Sequence, residues 1–108
     1  MSIPSQVLAK LKILETLYHQ GKSNDLINQT LDKIISQELA ESRQKNQEFE
    51  AEMQIFEQQY QMSSAEFSQL FHSGKLGDQI DFVEWNAFYQ MWTTLQEQIQ
   101  LLQSTENL

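Results

Sequence analysis

The chain has no cysteine among its 108 residues, one proline and three glycines. The missing cysteines exclude a disulfide scaffold and any thiolate metal site, and they suit a reducing compartment. Ordinary frequencies would give a chain of this length roughly eight glycines and five prolines. So few turn formers leave room for few turns, and therefore for a small number of long elements. No run of about 18 apolar residues is present, so no helix is expected to span a membrane. The opening Met1-Ser2-Ile3-Pro4 lacks the charged-then-apolar layout of a secretory signal, and the expected location is cytoplasmic. Basic residues nearly vanish after residue 45. Lys75 stands alone against ten acidic side chains in 46–108, a balance of −9, whereas residues 1–45 carry six basic and five acidic groups, a balance of +1. The second half should repel nucleic acid and anionic lipid and attract a basic surface.

What is present is helical patterning. Ser5 is a candidate N-cap, and Val7, Leu11, Leu14 and Tyr18 recur at spacings of four, three and four, with Gly21 placed to end that helix. Ser23 is the expected N-cap of a second helix, with Asp25 in its first turn. No glycine or proline interrupts 24–61, so the second helix is expected to run unbroken for more than about 50 Å. Its apolar residues form two clusters. Leu26, Ile27, Leu31, Ile34, Ile35 and Leu39 make the first; Phe49, Met53, Phe56 and Tyr60 make the second, with the polar Ser42 to Asn46 segment between them. Asn46 and Ser42 fall on the continued heptad seam, where a polar residue sets register. The preferred expectation for that segment is a solvated waist.

Ser63-x-x-Glu66 has the pattern of a capping box. It opens a short third helix with Phe67, Leu70 and Phe71 on its inner face, ended by Gly74. Gly77 permits another positive φ at the corner. Asp78 and Asp81 compete to cap a fourth helix, and Asp81-x-x-Glu84 is a weaker box. Trp85, Phe88, Trp92, Leu95, Ile99 and Leu102 then follow unbroken three-four spacing. The expected fold is all-α: a long central helix, an N-terminal hairpin over 1–45 that pairs with a second copy, an acidic fold-back hairpin over 46–103, and a frayed tail over 104–108. One chain cannot cover both sides of so long a helix, so a homodimeric helical bundle is expected.

No residue set carries recognisable catalytic chemistry. Asp78, Asp81 and Glu84 lack the alternating oxygen ligands and central glycine of a calcium loop and read as capping charges. Glu15 with His19, and His72 alone, do not make a zinc or di-metal site. No phosphate-binding glycine loop or nucleophilic triad appears, so no enzyme activity, metal or cofactor is expected. Leu17-Tyr18-His19-Gln20-Gly21-Lys22-Ser23 superficially resembles a helix-turn-helix corner. Asp25 and Asp32 on the would-be recognition helix, and a net charge of only +1 despite Lys10, Lys12, Lys22, Lys33, Arg43 and Lys45, argue against direct nucleic-acid binding. The expected role is a protein–protein interaction module. Its candidate partner-binding residues are Phe82, Glu84, Trp85, Tyr89 and Met91, which plain packing would also explain, since aromatics and Met are enriched in interfaces and cores alike.

The stretch Tyr60-x-Met62-Ser63-Ser64-x-Glu66-Phe67, continued by Phe71-x-x-Gly74-x-Leu76-Gly77-Asp78-x-x-Asp81-Phe82-x-Glu84-Trp85-x-x-x-Tyr89, resembles a pattern in small, acidic, mostly uncharacterised helical proteins of cyanobacteria and other bacteria. Leu31-Asp32-Lys33-Ile34 and Glu38-Leu39 upstream are similar to them as well. Those proteins resemble antitoxin-like partners encoded beside small toxins. The resemblance implies a chain that binds and neutralises a basic partner through its acidic C-terminal half. A homodimeric coiled-coil scaffold or adaptor with no toxin is the alternative.

Overall fold

The computed structural model describes residues 3–22 and 25–108, with Ile3, Pro4 and Asn107 by backbone alone. Among them are four α-helices and no strand: α1 Ile3–His19, α2 Asp25–Tyr60, α3 Ser64–His72 and α4 Ile80–Gln103, followed by a 3-10 turn, Ser104–Asn107. The fold is all-α, with a long central helix and a C-terminal fold-back in which α4 packs on α2. No helix among the described residues is long and apolar enough to cross a membrane. The chain divides into two compact units, Met1–Ile34 and Ile35–Leu108.

The first unit holds α1 and the start of α2. Helix α1 begins at Ile3, ahead of the expected Ser5 cap, so Pro4 sits in the first turn, where its missing N–H costs nothing. Gly21, at φ 90°, ends it. The Lys22 N–H donates to the Leu17 carbonyl at 3.0 Å and the Gly21 N–H to the Tyr18 carbonyl at 3.0 Å, the two bonds of a Schellman close. The expected Ser23 cap lies outside the described residues. Leu11 and Leu14 of α1 face Ile27 and Leu31 of α2 across a shallow groove. No described residue between 5 and 34 is buried.

Helix α2 is a single helix through Ser42. It ends at Tyr60 by an unforeseen device. Gln61 takes a left-handed conformation, φ 55°, in the place a glycine usually fills. The Met62 N–H reaches back to the Glu57 carbonyl at 3.3 Å, and the Gln61 side-chain amide donates to the Gln58 carbonyl at 2.6 Å.

The second unit contains the core. Met53 and Phe56 of α2, Phe67 of α3, and Phe82 and Trp85 of α4 form one buried cluster, flanked by Tyr60, Phe71, Phe88 and Trp92. Trp85 and Phe67 are both 0% exposed and stack with centroids 4.0 Å apart. Phe56 stacks on Trp85 at 5.6 Å, Tyr60 meets Phe82 at 5.1 Å and Phe49 meets Phe88 at 6.3 Å. Steps back along α2 match steps forward along α4, so the two run antiparallel: Tyr60 with Asp81 and Phe82, Phe56 with Trp85, Glu50 with Trp92, Asn46 with Gln96. The last pair narrows the solvated waist to Arg43, Gln44 and Lys45, which are exposed. Asn46 is half-buried and accepts a hydrogen bond from the Gln96 amide, so the polar seam residue sets register within the chain.

Three expectations at the corner need correction. Helix α4 starts at Ile80 after Gln79, with no side-chain cap, so neither Asp78 nor Asp81 caps it and the Asp81-x-x-Glu84 box does not form. Asp81 lies two residues past the cap position and is drawn to Tyr60 instead. Gly77 has no positive φ, because the reversal is completed at Gly74, φ 77°. The tail does not fray at Ser104: it closes as a 3-10 turn in which the Ser104 and Thr105 hydroxyls donate to the Leu101 and Leu102 carbonyls.

Candidate functional site

The most elaborate polar arrangement joins α2, α3 and α4. Ser63 caps α3 as expected, its Oγ accepting the Glu66 N–H at 3.1 Å. The reciprocal half of the box is altered, since the Glu66 carboxylate accepts from the Ser63 hydroxyl at 3.3 Å. The next residue, Ser64, is 5% exposed and holds three segments together. Its Oγ accepts the Trp85 indole N–H at 2.8 Å, and its own hydroxyl donates to Glu57 Oε2 at 2.8 Å. The Ser64 N–H donates to the same Glu57 oxygen at 3.0 Å. Glu57 therefore sits at the N-terminus of α3, where the helix dipole and an otherwise unpaired N–H favour an anion. Gly74 ends α3 with a second Schellman close, Lys75 N–H to Leu70 carbonyl at 3.1 Å and Gly74 N–H to Phe71 carbonyl at 3.2 Å.

A groove of about 660 Å³ opens beside this network, lined by Gln47, Glu50, Gln54 and Glu57 of α2 and by Tyr89 and Trp92 of α4. The four α2 residues repeat at spacings of three, four and three, so they form one polar stripe beside the apolar one. The Trp92 indole N–H donates to Glu50 Oε2 at 3.0 Å, and Tyr89 stacks on Trp92 at 5.8 Å and 24°. At the corner, the Tyr60 hydroxyl donates to Asp81 Oδ2 at 2.6 Å, with the Gln59 amide on the same oxygen at 3.4 Å. That hydrogen bond raises the Tyr60 phenol above its ordinary pKa, with burial and the Asp81 charge adding to it. Every one of these carboxylates is held by neutral donors. Glu15 and His19 approach to 4.0 Å on the exposed face of α1, and among the described residues no lysine or arginine lies within ion-pair distance of an acid of the second half.

The five proposed partner-binding residues do not form one surface. Phe82 and Trp85 belong to the buried core, a correction with a simple cause. Phe82 lies three residues before Trp85 and so on the same helical face. Glu84 is exposed, Tyr89 lines the groove, and Met91 lines a separate depression with Lys45 and Phe49. His72 closes α3, its Nδ1 donating to the Ser68 carbonyl at 2.8 Å. Among the described residues no three His, Asp or Glu side chains converge as metal ligands. Sequence reasoning missed Ser64, Glu57 and Glu50. The three-four-three repeat of Gln47, Glu50, Gln54 and Glu57 was the available signal. Compared with protein-family models, curated proteins and solved structures, the chain matches none.

Proposed function

We propose that the protein is a non-enzymatic interaction module of the cytoplasm whose acidic C-terminal half binds a basic protein partner, while two copies pair through the N-terminal hairpin. The observation that carries this reading is the uncompensated charge. Residues 46–108 set ten acids against Lys75, and the carboxylates ordered by Trp92, Ser64 and Tyr60 are held by neutral donors with no cationic side chain on them. Such a field speeds encounter with a cationic protein and selects against anionic ones. The hairpin supports the second part. Val7, Leu8, Leu11, Ile13, Leu17, Leu31 and Ile34 are each more than a third exposed on a segment of nearly balanced charge, where self-association meets little repulsion.

The motif resemblance makes an antitoxin-like role, neutralising a basic toxin from a neighbouring gene, the specific form of this proposal. Co-expression with the adjacent gene product tests it. The two should co-purify at low salt and separate as salt rises; a pair that never associates at low salt defeats the reading. A homodimeric scaffold without such a partner is the second reading, favoured by the placement of Phe82 and Trp85 in the core. Substituting the exposed Glu84 and the half-buried Tyr89 separates the two. Partner loss with unchanged melting supports the interface, and lowered melting with no partner supports the scaffold.

A further inference from the structure

We propose that the groove between α2 and α4 receives an arginine side chain of the basic partner, with Glu50 as its carboxylate and Trp92 and Tyr89 as its stacking platform. This rests on the reading that the acidic half binds a basic protein, and it gives that binding an anchor point. Of the two carboxylates in the groove, Glu57 is already committed. It accepts two hydrogen bonds from Ser64 at the positive end of α3. Glu50 accepts one neutral donor, the Trp92 indole N–H, and is exposed. Its full charge remains available, and the indole holds the carboxylate in place before any partner arrives, which reduces the ordering cost of binding.

The surroundings select among cations. Trp92 and Tyr89 line the groove with Glu50; both are half-buried, packed on the core and stacked on each other, which fixes them in place and leaves their groove-side atoms for a guanidinium. A guanidinium is planar, weakly hydrated and forked, so one group can stack on an aromatic face and pair with a carboxylate. A lysine ammonium would feel the same charge but is compact and strongly hydrated, and it has no plane to stack. The side-chain carbonyls of Gln47 and Gln54, one turn to either side of Glu50, can accept the remaining N–H groups. An anionic occupant meets the −9 field of this half of the chain, and an apolar one would strip water from Glu50 without replacing its hydrogen bonds.

The test uses the full chain and a labelled short peptide of alternating arginine and serine, followed by fluorescence anisotropy at low salt. Glu50→Gln removes the groove charge but keeps an oxygen for the Trp92 N–H, so the fold should melt unchanged. Glu97→Gln removes the same charge from an exposed site outside the groove. Glu50→Gln should weaken binding about tenfold or more, the scale of a charge-assisted contact. Glu97→Gln should change it less than about twofold, because a screened surface charge acts weakly at a distance. A lysine–serine peptide should bind more weakly than the arginine one. Equal losses in the two variants would overturn the groove while leaving the acidic-half reading intact. Equal affinity for the two peptides would overturn the guanidinium assignment. No binding by the unaltered chain at any salt would remove both.

Discussion

The corner between Tyr60 and Trp92 is rich in aromatic side chains, the hairpin between residues 5 and 34 in aliphatic ones, and the two use them in opposite ways. At the corner, three helices converge and Phe67 and Trp85 lose all contact with solvent. In the hairpin, two helices meet and no described side chain is buried. Two helices leave each apolar residue covered from one side, and a segment below about 40 residues seldom supplies its own core without help. The third helix makes the difference at the corner, because α3 brings Phe67 onto the face of Trp85 and Ser64 onto its indole N–H. A closed aromatic cluster with its polar atoms satisfied is a self-sufficient core, whereas the aliphatic stripe left in water is the surface through which we propose that a second copy pairs.

Trp85→Ala should break the corner with the largest effect, about 3–5 kcal/mol, because it empties a fully buried volume and strands Ser64. Ile13→Ala, at an exposed hairpin position, should shift the melting of the 35–108 unit hardly at all. Thermal unfolding followed by near-ultraviolet circular dichroism, which reports the packed aromatics, measures both.

Ser64→Ala comes next, at about 1–3 kcal/mol, since it leaves the Trp85 N–H buried without an acceptor. Ser63→Ala, which removes only the cap, should cost about 1 kcal/mol. Chemical denaturation of the two variants ranks the buried network against the surface cap.

The glycines offer a smaller contrast. Gly74→Ala should lose about 1 kcal/mol, because φ 77° is strained for any residue with a Cβ. Gly77→Ala meets open space and no positive φ, so it should be neutral or gain up to about 1 kcal/mol by restricting the unfolded chain.

The smallest effect is on pH. The Tyr60 phenol is raised in the folded state, so its contribution is fully present below the ordinary tyrosine pKa of about 10 and is lost as pH climbs through the higher folded value. Melting temperature should fall above about pH 10, and Tyr60→Phe should reduce that fall.

Much of this was legible in the sequence because it is local. The unbroken α2, the stripe from Trp85 to Leu102, the Ser63 cap and the Gly74 close each depend on residues a few positions apart. The Ser64, Trp85 and Glu57 network was not legible, since it joins three segments whose approach depends on the fold-back. Asp81 read as a cap because its type and place suit one, and only the packed corner shows Tyr60 within reach. Gln61 gave no warning, for a left-handed glutamine is an exception that tertiary packing has to support. The burial of Phe82 is legible in the sequence, because its three-residue spacing from Trp85 places it on the core face.

Amide hydrogen exchange across a dilution series tests the contrast between the two regions most directly. Amides of α4 should exchange slowly at every concentration, while those of α1 should be protected only as concentration rises and copies pair. Protection of α1 equal to that of α4 and unchanged by dilution, in a sample of monomer mass, would show that the hairpin is a complete fold by itself and would contradict its proposed need for a second copy.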